Sequence, residues 1–147
     1  MRSETTTSPK RILLVEDNIG DIRLIQEVLK ENPLSHELLT VRDGVAAMDF
    51  LYQQGEYQDV PPPNLIILDL NLPKKDGREV LAEIKNDPKL KRIPVIVLST
   101  SRSEDDILQS YDLHVNCYIS KSRNLKELFK IVREIQEFWL NTVTLPS

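Results

Sequence analysis

The chain has 147 residues, with 19 Lys and Arg against 23 Asp and Glu, a formal charge of -4; 40% of its residues are hydrophobic and 29% charged. That length and balance predict one folded domain with a proper core, and they exclude disorder of the whole chain. A mildly acidic chain lacks the basic stripe that grips a phosphate backbone, so no nucleic-acid partner is expected; the single cysteine, Cys117, excludes an internal disulfide or a cysteine-rich zinc site.

The N-terminal MRSETTTSPK is polar, with no apolar stretch behind it. It reads as an arm and not a signal peptide, so residues 1–9 are expected to be disordered, 10–140 to form the domain and 141–147 a tail. No segment reaches the roughly 20 apolar residues of a membrane helix, and a cytoplasmic location is expected. Residues 11–15 (RILLV) open the domain as a continuous apolar strand, followed by a helical stripe of Ile22, Ile25, Val28 and Leu29. A weaker strand at 37–41 (ELLTV) and a second helix lead to the connector QQGEYQDVPPPN, whose three prolines favour an extended, solvated spacer on the face opposite the strand C-termini. Residues 64–68 (NLIIL) form the third strand. The helix after it carries Val80, Leu81 and Ile84, starts at a capping box of Asp76 and Glu79, and stops before Pro88. Residues 94–98 (PVIVL) and the weaker 116–119 (NCYI) supply the last strands. Asn124 and Glu127 repeat the capping spacing before a final stripe of Leu125, Leu128, Phe129, Val132, Ile135 and Trp139, all expected to pack on the sheet.

Apolar runs without alternation are strands covered on both faces, and five strand-helix units imply parallel pairing. The expected fold is α/β: a flavodoxin-like doubly wound five-stranded parallel sheet, order 2-1-3-4-5, in a single domain. In that order the first and third strands are neighbours, and ligands bind beyond their C-terminal ends. Glu16, Asp17 and Asp69 all fall there. Gathered like charges raise one another's pKa, so folding alone gives no reason for the cluster, whereas Mg2+ takes carboxylate oxygens together with waters and a phosphoryl oxygen. Ser99 and Thr100 end the fourth strand and Lys121 follows the fifth, bringing a hydroxyl and a cation to the same rim. Beside a carboxylate nucleophile such groups stabilise a transferred phosphoryl group.

The stretches ILLVEDN, LIILDLNLPKKDG, PVIVLSTS and NCYISKS resemble the receiver domain of two-component response regulators, over residues from 10 to about 139. LDLNLPKKDGREVLAEIK, HVNCYISKSRNL and FWLNTVTLP are further similar to response regulators that serve cyanobacterial phytochromes. The resemblance implies a stand-alone signalling receiver, not an enzyme with turnover. Asp69 would take a phosphoryl group from a phosphohistidine on a phytochrome-type histidine kinase. It makes Asp17 and Asp69 direct Mg2+ ligands, with Glu16 acting through water and Asn71 offering its backbone carbonyl. Lys121 would pair with the phosphoryl group, and Ser99 and Tyr118 would form the switch. Two positions depart from the pattern: Ser122 stands where the family usually has proline, leaving the aim of Lys121 open, and Thr100 replaces a small residue, implying narrowed water access and slow autodephosphorylation.

Ile131 and Phe138 lie on the flank of the last helical stripe and widen it beyond what one small sheet can cover, so Ile131, Phe138 and Trp139 are expected to form a homodimer interface together with the tail. Cys117 reads as a small hydrophobe in a strand, and His36 and His114 as loop or surface residues without metal-ligand spacing. A Mg2+-dependent phosphohydrolase with an Asp69 nucleophile shares the acidic pocket, but Asn71 stands two residues on, where a carboxylate would protonate a leaving group. A flavin-type cofactor binder is disfavoured, because carboxylates repel a phosphate.

Overall fold

The computed structural model describes residues 9–31 and 36–146, so most of the expected N-terminal arm lies outside the described residues. Five strands, β1 (Lys10–Val15), β2 (His36–Val41), β3 (Leu65–Leu68), β4 (Val95–Ser99) and β5 (Cys117–Ser120), pair in parallel in the order β2-β1-β3-β4-β5. The expected α/β sheet is thus observed, with strand bounds within a residue of those read from the sequence. Helices α1 (Ile19–Lys30), α2 (Gly44–Leu51), α3 (Gly77–Asn86), α4 (Glu104–Asp112) and α5 (Leu125–Ile135) alternate with the strands.

Successive side chains on β1, β3 and β4 are buried on opposite faces, which is why those segments are apolar without alternation. Leu13, Val15, Ile66, Leu68 and Val97 pack with α2 and α3, while Ile12, Leu14, Ile67, Ile96 and Leu98 pack with α1 and α5. The capping box at Asp76 and Glu79 is present. At α5 only half of one forms: Asn124 Oδ1 accepts from the amides of Lys126 and Glu127, but Glu127 turns to accept from Ser122 Oγ at 2.8 Å.

The last helix departs from its expected stripe at both ends. Leu125, expected in the core, is 69% exposed: it is the first residue of α5, and the helix joins the core cluster from Leu128 onward. Beyond Ile135 the chain continues as a π-helix, Gln136–Thr142. The wider i→i+5 turn moves the inward position, so Leu140 is buried where 3.6-residue periodicity points to Trp139, which is only partly covered. Residues after Thr142 fold back, with Leu145 buried and Asn64 Nδ2 donating to the Pro146 carbonyl at 3.3 Å. The proline-rich connector is also tied down: Tyr57 meets Phe50 with ring centroids 5.2 Å apart, and Arg11 Nε donates to the Pro62 carbonyl at 3.1 Å.

The loop after β3 is held against the start of α3 by a close backbone approach. Gly77 N–H donates to the Leu70 carbonyl at 2.9 Å, and a Cβ at Gly77 would lie 2.3 Å from the Asp69 carbonyl oxygen. Backbone cannot yield as a flexible side chain does. Gly77→Ala is therefore expected to lower the unfolding free energy by about 1–3 kcal/mol, read as a lower urea midpoint at unchanged m-value.

Candidate functional site

Parallel register assembles the site. Val15 pairs with Leu68, and the amides of Glu16 and Asp69 bond to the Val41 and Val15 carbonyls at 3.1 and 3.0 Å, so the two acids emerge side by side. Lys121, just past β5, donates its amide to the Ser99 carbonyl at 2.6 Å. The structure thus brings Glu16, Asp17, Asp69, Ser99 and Lys121 to one end of the sheet, as expected. Glu16, Asp69, Ser99 and Lys121 are buried. Asp17 lies further toward solvent, its carbonyl accepting from Arg42 Nη2 at 3.2 Å.

One carboxylate oxygen from each of Glu16, Asp17 and Asp69 lies within 4.8 Å of the others. All are hard oxygen donors, the set that fits Mg2+ and not a thiolate-seeking metal. Glu16 Oε1 accepts from Lys121 Nζ at 2.9 Å and Oε2 from the Asn18 amide at 3.1 Å. Both of its oxygens are engaged, which suits an indirect role through water better than direct ligation. Asp69 Oδ1 accepts from the Asn71 amide at 3.3 Å, and Oδ2 lies 3.6 Å from Lys121 Nζ.

The sequence reading missed one member. Asp21, in the first turn of α1, accepts from Lys121 Nζ at 2.8 Å. Its amide donates to Asn18 Oδ1, the N-cap, so the carboxylate has a fixed root. The available signal was position alone: an acid three residues past a cap, on the helix that follows the switch-point strand. Lys121 therefore faces three carboxylates. Burial by itself would lower its pKa, but the Asp21 bond, the Asp69 charge and the Glu16 bond outweigh that and hold it above the ordinary lysine range. One cation cannot balance three acids, and Glu16 is pushed up to about 7, by burial first and then by the Asp69 charge. The peptide bond after Lys121 is trans, and Glu16 and Asp21 set the lysine's aim.

Ser99 Oγ accepts from the Ser101 amide at 3.2 Å, and the Ser101 carbonyl accepts from the Tyr118 hydroxyl at 2.9 Å. Ser101 Oγ in turn donates to Asp106 Oδ2 at 2.6 Å, and Arg78 grips Asp106 through Nε and Nη2, each at 2.8 Å. Ser101, Asp106 and Arg78 were not singled out from sequence; Ser101 lies in the β4–α4 loop and Asp106 in the first turn of α4, and folding brings Arg78 of α3 to them. Thr100 is exposed on the rim. Cys117 is half-buried, and burial pushes its thiol up; His114 is exposed at the left-handed residue that ends α4, and His36 begins β2.

This fold and pocket define a phosphoryl-receiving signalling domain. The family model described as response regulator receiver domain matches residues 12–133, and the chain belongs to that family. It is similar to response regulator Rcp1 of Synechocystis sp., with 67% identity over 145 residues that cover 99% of each chain. Its structure superposes on the Mn2+-bound form of Rcp1 with a TM-score of 0.93 and 69% identity, covering 95% of this chain and 100% of that one. The phosphorylated cyanobacterial phytochrome response regulator RcpA gives a TM-score of 0.93 at 68% identity, with the same coverage. Among the described residues no helix is long and apolar enough to cross a membrane.

The Arg78–Asp106 pair has a definite acid signature. The Arg78 and Ser101 bonds lower the Asp106 carboxyl below its ordinary 3.8. Its stabilisation is thus complete above pH 3.8 and is lost as pH falls through the depressed folded value. Arg78→Ala is expected to lower stability by about 1 kcal/mol at neutral pH, because the bidentate pair is mostly shielded from solvent. Urea unfolding across a pH series should show the gap to wild type narrowing in acid.

Proposed function

We propose that Asp69 is the phosphoacceptor of this receiver, and that phosphorylation by a phytochrome-type histidine kinase switches its protein contacts. The observation that carries the reading is the buried Asp69 carboxylate, set within 4.8 Å of the Glu16 and Asp17 oxygens and 3.6 Å from the Lys121 ammonium. A carboxylate is a poor nucleophile toward an anionic phosphoryl group unless charge is compensated and attack is held in line. Asp17 and Asp69, with Glu16 acting through water and Asn71 through its backbone carbonyl, would hold a Mg2+ ion, which would supply the positive charge that offsets an incoming phosphoryl group. An Asp69 oxygen attacks the phosphorus of the phosphohistidine. The P–N bond breaks, the O–P bond of an acyl phosphate forms, and the imidazole leaves with the bonding pair. Lys121 balances the added charge, and the Ser99 hydroxyl offers a donor. Similarity to regulators named for phytochromes supports the kinase class.

We also propose that the protein is a homodimer through the outer face of α5 and the π-helix. Phe138 supports this: it is 53% exposed and stands edge-on to Trp139 with centroids 5.7 Å apart. Ile131 and Trp139 are partly covered by the domain's own core and would form the floor of the contact.

Intact mass after treatment with acetyl phosphate and Mg2+ tests the first proposal. One phosphoryl adduct is expected on wild type, and none on Asp69→Asn or without Mg2+; an adduct retained by Asp69→Asn would overturn the assignment. For the second, sedimentation of Phe138→Asp should show a shift toward monomer, and an unchanged profile would count against this interface.

A further inference from the structure

Asp21 is the member of the pocket that neither metal binding nor phosphoryl acceptance uses, yet it makes the shortest contact of Lys121. The lysine Nζ lies 2.8 Å from Asp21 Oδ2, 2.9 Å from Glu16 Oε1 and 3.6 Å from Asp69 Oδ2. An ammonium has three donors, so two are committed to Asp21 and Glu16, and Asp69 stands beyond hydrogen-bond reach. We propose that Asp21 is a positioning residue that holds Lys121 back from Asp69, and that this contact must be loosened when a phosphoryl group is received. The inference rests on the assignment of Asp69 as phosphoacceptor.

Of the two committed bonds, the one to Asp21 is placed to yield. The Glu16 side chain is 2% exposed and its second oxygen is fixed by the Asn18 amide, whereas the Asp21 side chain is 18% exposed and water can replace the lysine. A phosphoryl group on Asp69 brings a second negative charge and fresh acceptor oxygens, drawing the ammonium toward β3. Asp21 opposes that movement with a full charge at contact distance. It therefore sets how much of the lysine's attraction is available to the phosphoryl group, without touching that group itself. The aim that a proline after the lysine would otherwise help to fix is here fixed from α1.

Beryllofluoride, which mimics a phosphoryl group on a carboxylate, separates this role from structural support. Its affinity is measured by calorimetry at saturating Mg2+ on the full chain, and Mg2+ affinity is measured alone. Asp21→Asn is expected to bind beryllofluoride about three- to ten-fold more tightly, since one competing charge near the lysine is gone. The same variant should bind Mg2+ about two-fold more weakly, since the pocket is less negative. Asp21→Glu, which keeps the carboxylate, should stay near wild type in both. A merely structural loss would weaken both affinities together, so equal or weaker beryllofluoride binding by Asp21→Asn overturns the proposal. Absence of beryllofluoride binding by wild type itself would instead overturn the Asp69 assignment and this inference with it.

Discussion

The buried ammonium of Lys121 is the contact around which the site is built. Taking an ammonium out of water costs several kcal/mol, and the cost is met only where carboxylates surround it with good geometry. Glu16 and Asp21 do so at hydrogen-bond distance, with Asp69 just beyond. The arrangement overshoots, because three acids face one lysine and Asp17 adds a fourth carboxylate beside Glu16 and Asp69. Glu16 carries part of the cost: its carboxyl is pushed up to about 7, by burial first and by the Asp69 charge second, although it bonds the lysine directly. A pocket left this far from balance gains by taking up a compact divalent cation.

The scaffold makes the imbalance tolerable by fixing where each charge sits. Glu16 and Asp69 leave adjacent parallel strands, and Lys121 is tied by its amide to the Ser99 carbonyl one strand further on. None of these roots is a free loop. The approach of α3 to the end of β3 is possible because Gly77 has no side chain, so the backbone carrying Asp69 rests directly on a helix start. The apolar strands behind the site are packed on both faces, and this rigidity lets like charges stay close without splaying apart.

Much of this was legible in the sequence where one local signal suffices. Continuous apolar runs mark strands covered on both faces, and acids at their C-terminal ends mark the ligand edge, which placed Glu16, Asp17, Asp69, Ser99 and Lys121 together. What escaped depends on three-dimensional neighbours. Asp21 is one of two acids on an ordinary amphipathic helix until the fold brings Lys121 to it. The Arg78–Asp106 pair spans 28 residues and two helices. The end of α5 escaped for another reason: the pattern was read at 3.6 residues per turn, and the π-helix moved Leu140 inward in place of Trp139. Leu125 fits the apolar stripe but stands at the first residue of α5, ahead of Leu128 where packing on the core begins.

Ser101 joins the charged pocket to the surface beyond it. Its amide meets the Ser99 hydroxyl, its carbonyl meets the Tyr118 hydroxyl, and its own hydroxyl meets Asp106 in the first turn of α4. Were Asp69 to carry a phosphoryl group, as proposed, a rotation of Ser99 Oγ toward it would take the acceptor away from the Ser101 amide. That amide would then need a new partner, which a movement of the β4–α4 connection would supply. Tyr118 and Asp106 both hold the same residue, so movement there is resisted at two points. The Arg78 grip on Asp106 fixes α4 to the start of α3 meanwhile. On that proposal a change in charge at the pocket would alter which hydrogen bonds position α4, the helix that presents exposed Leu108 and Tyr111 to solvent.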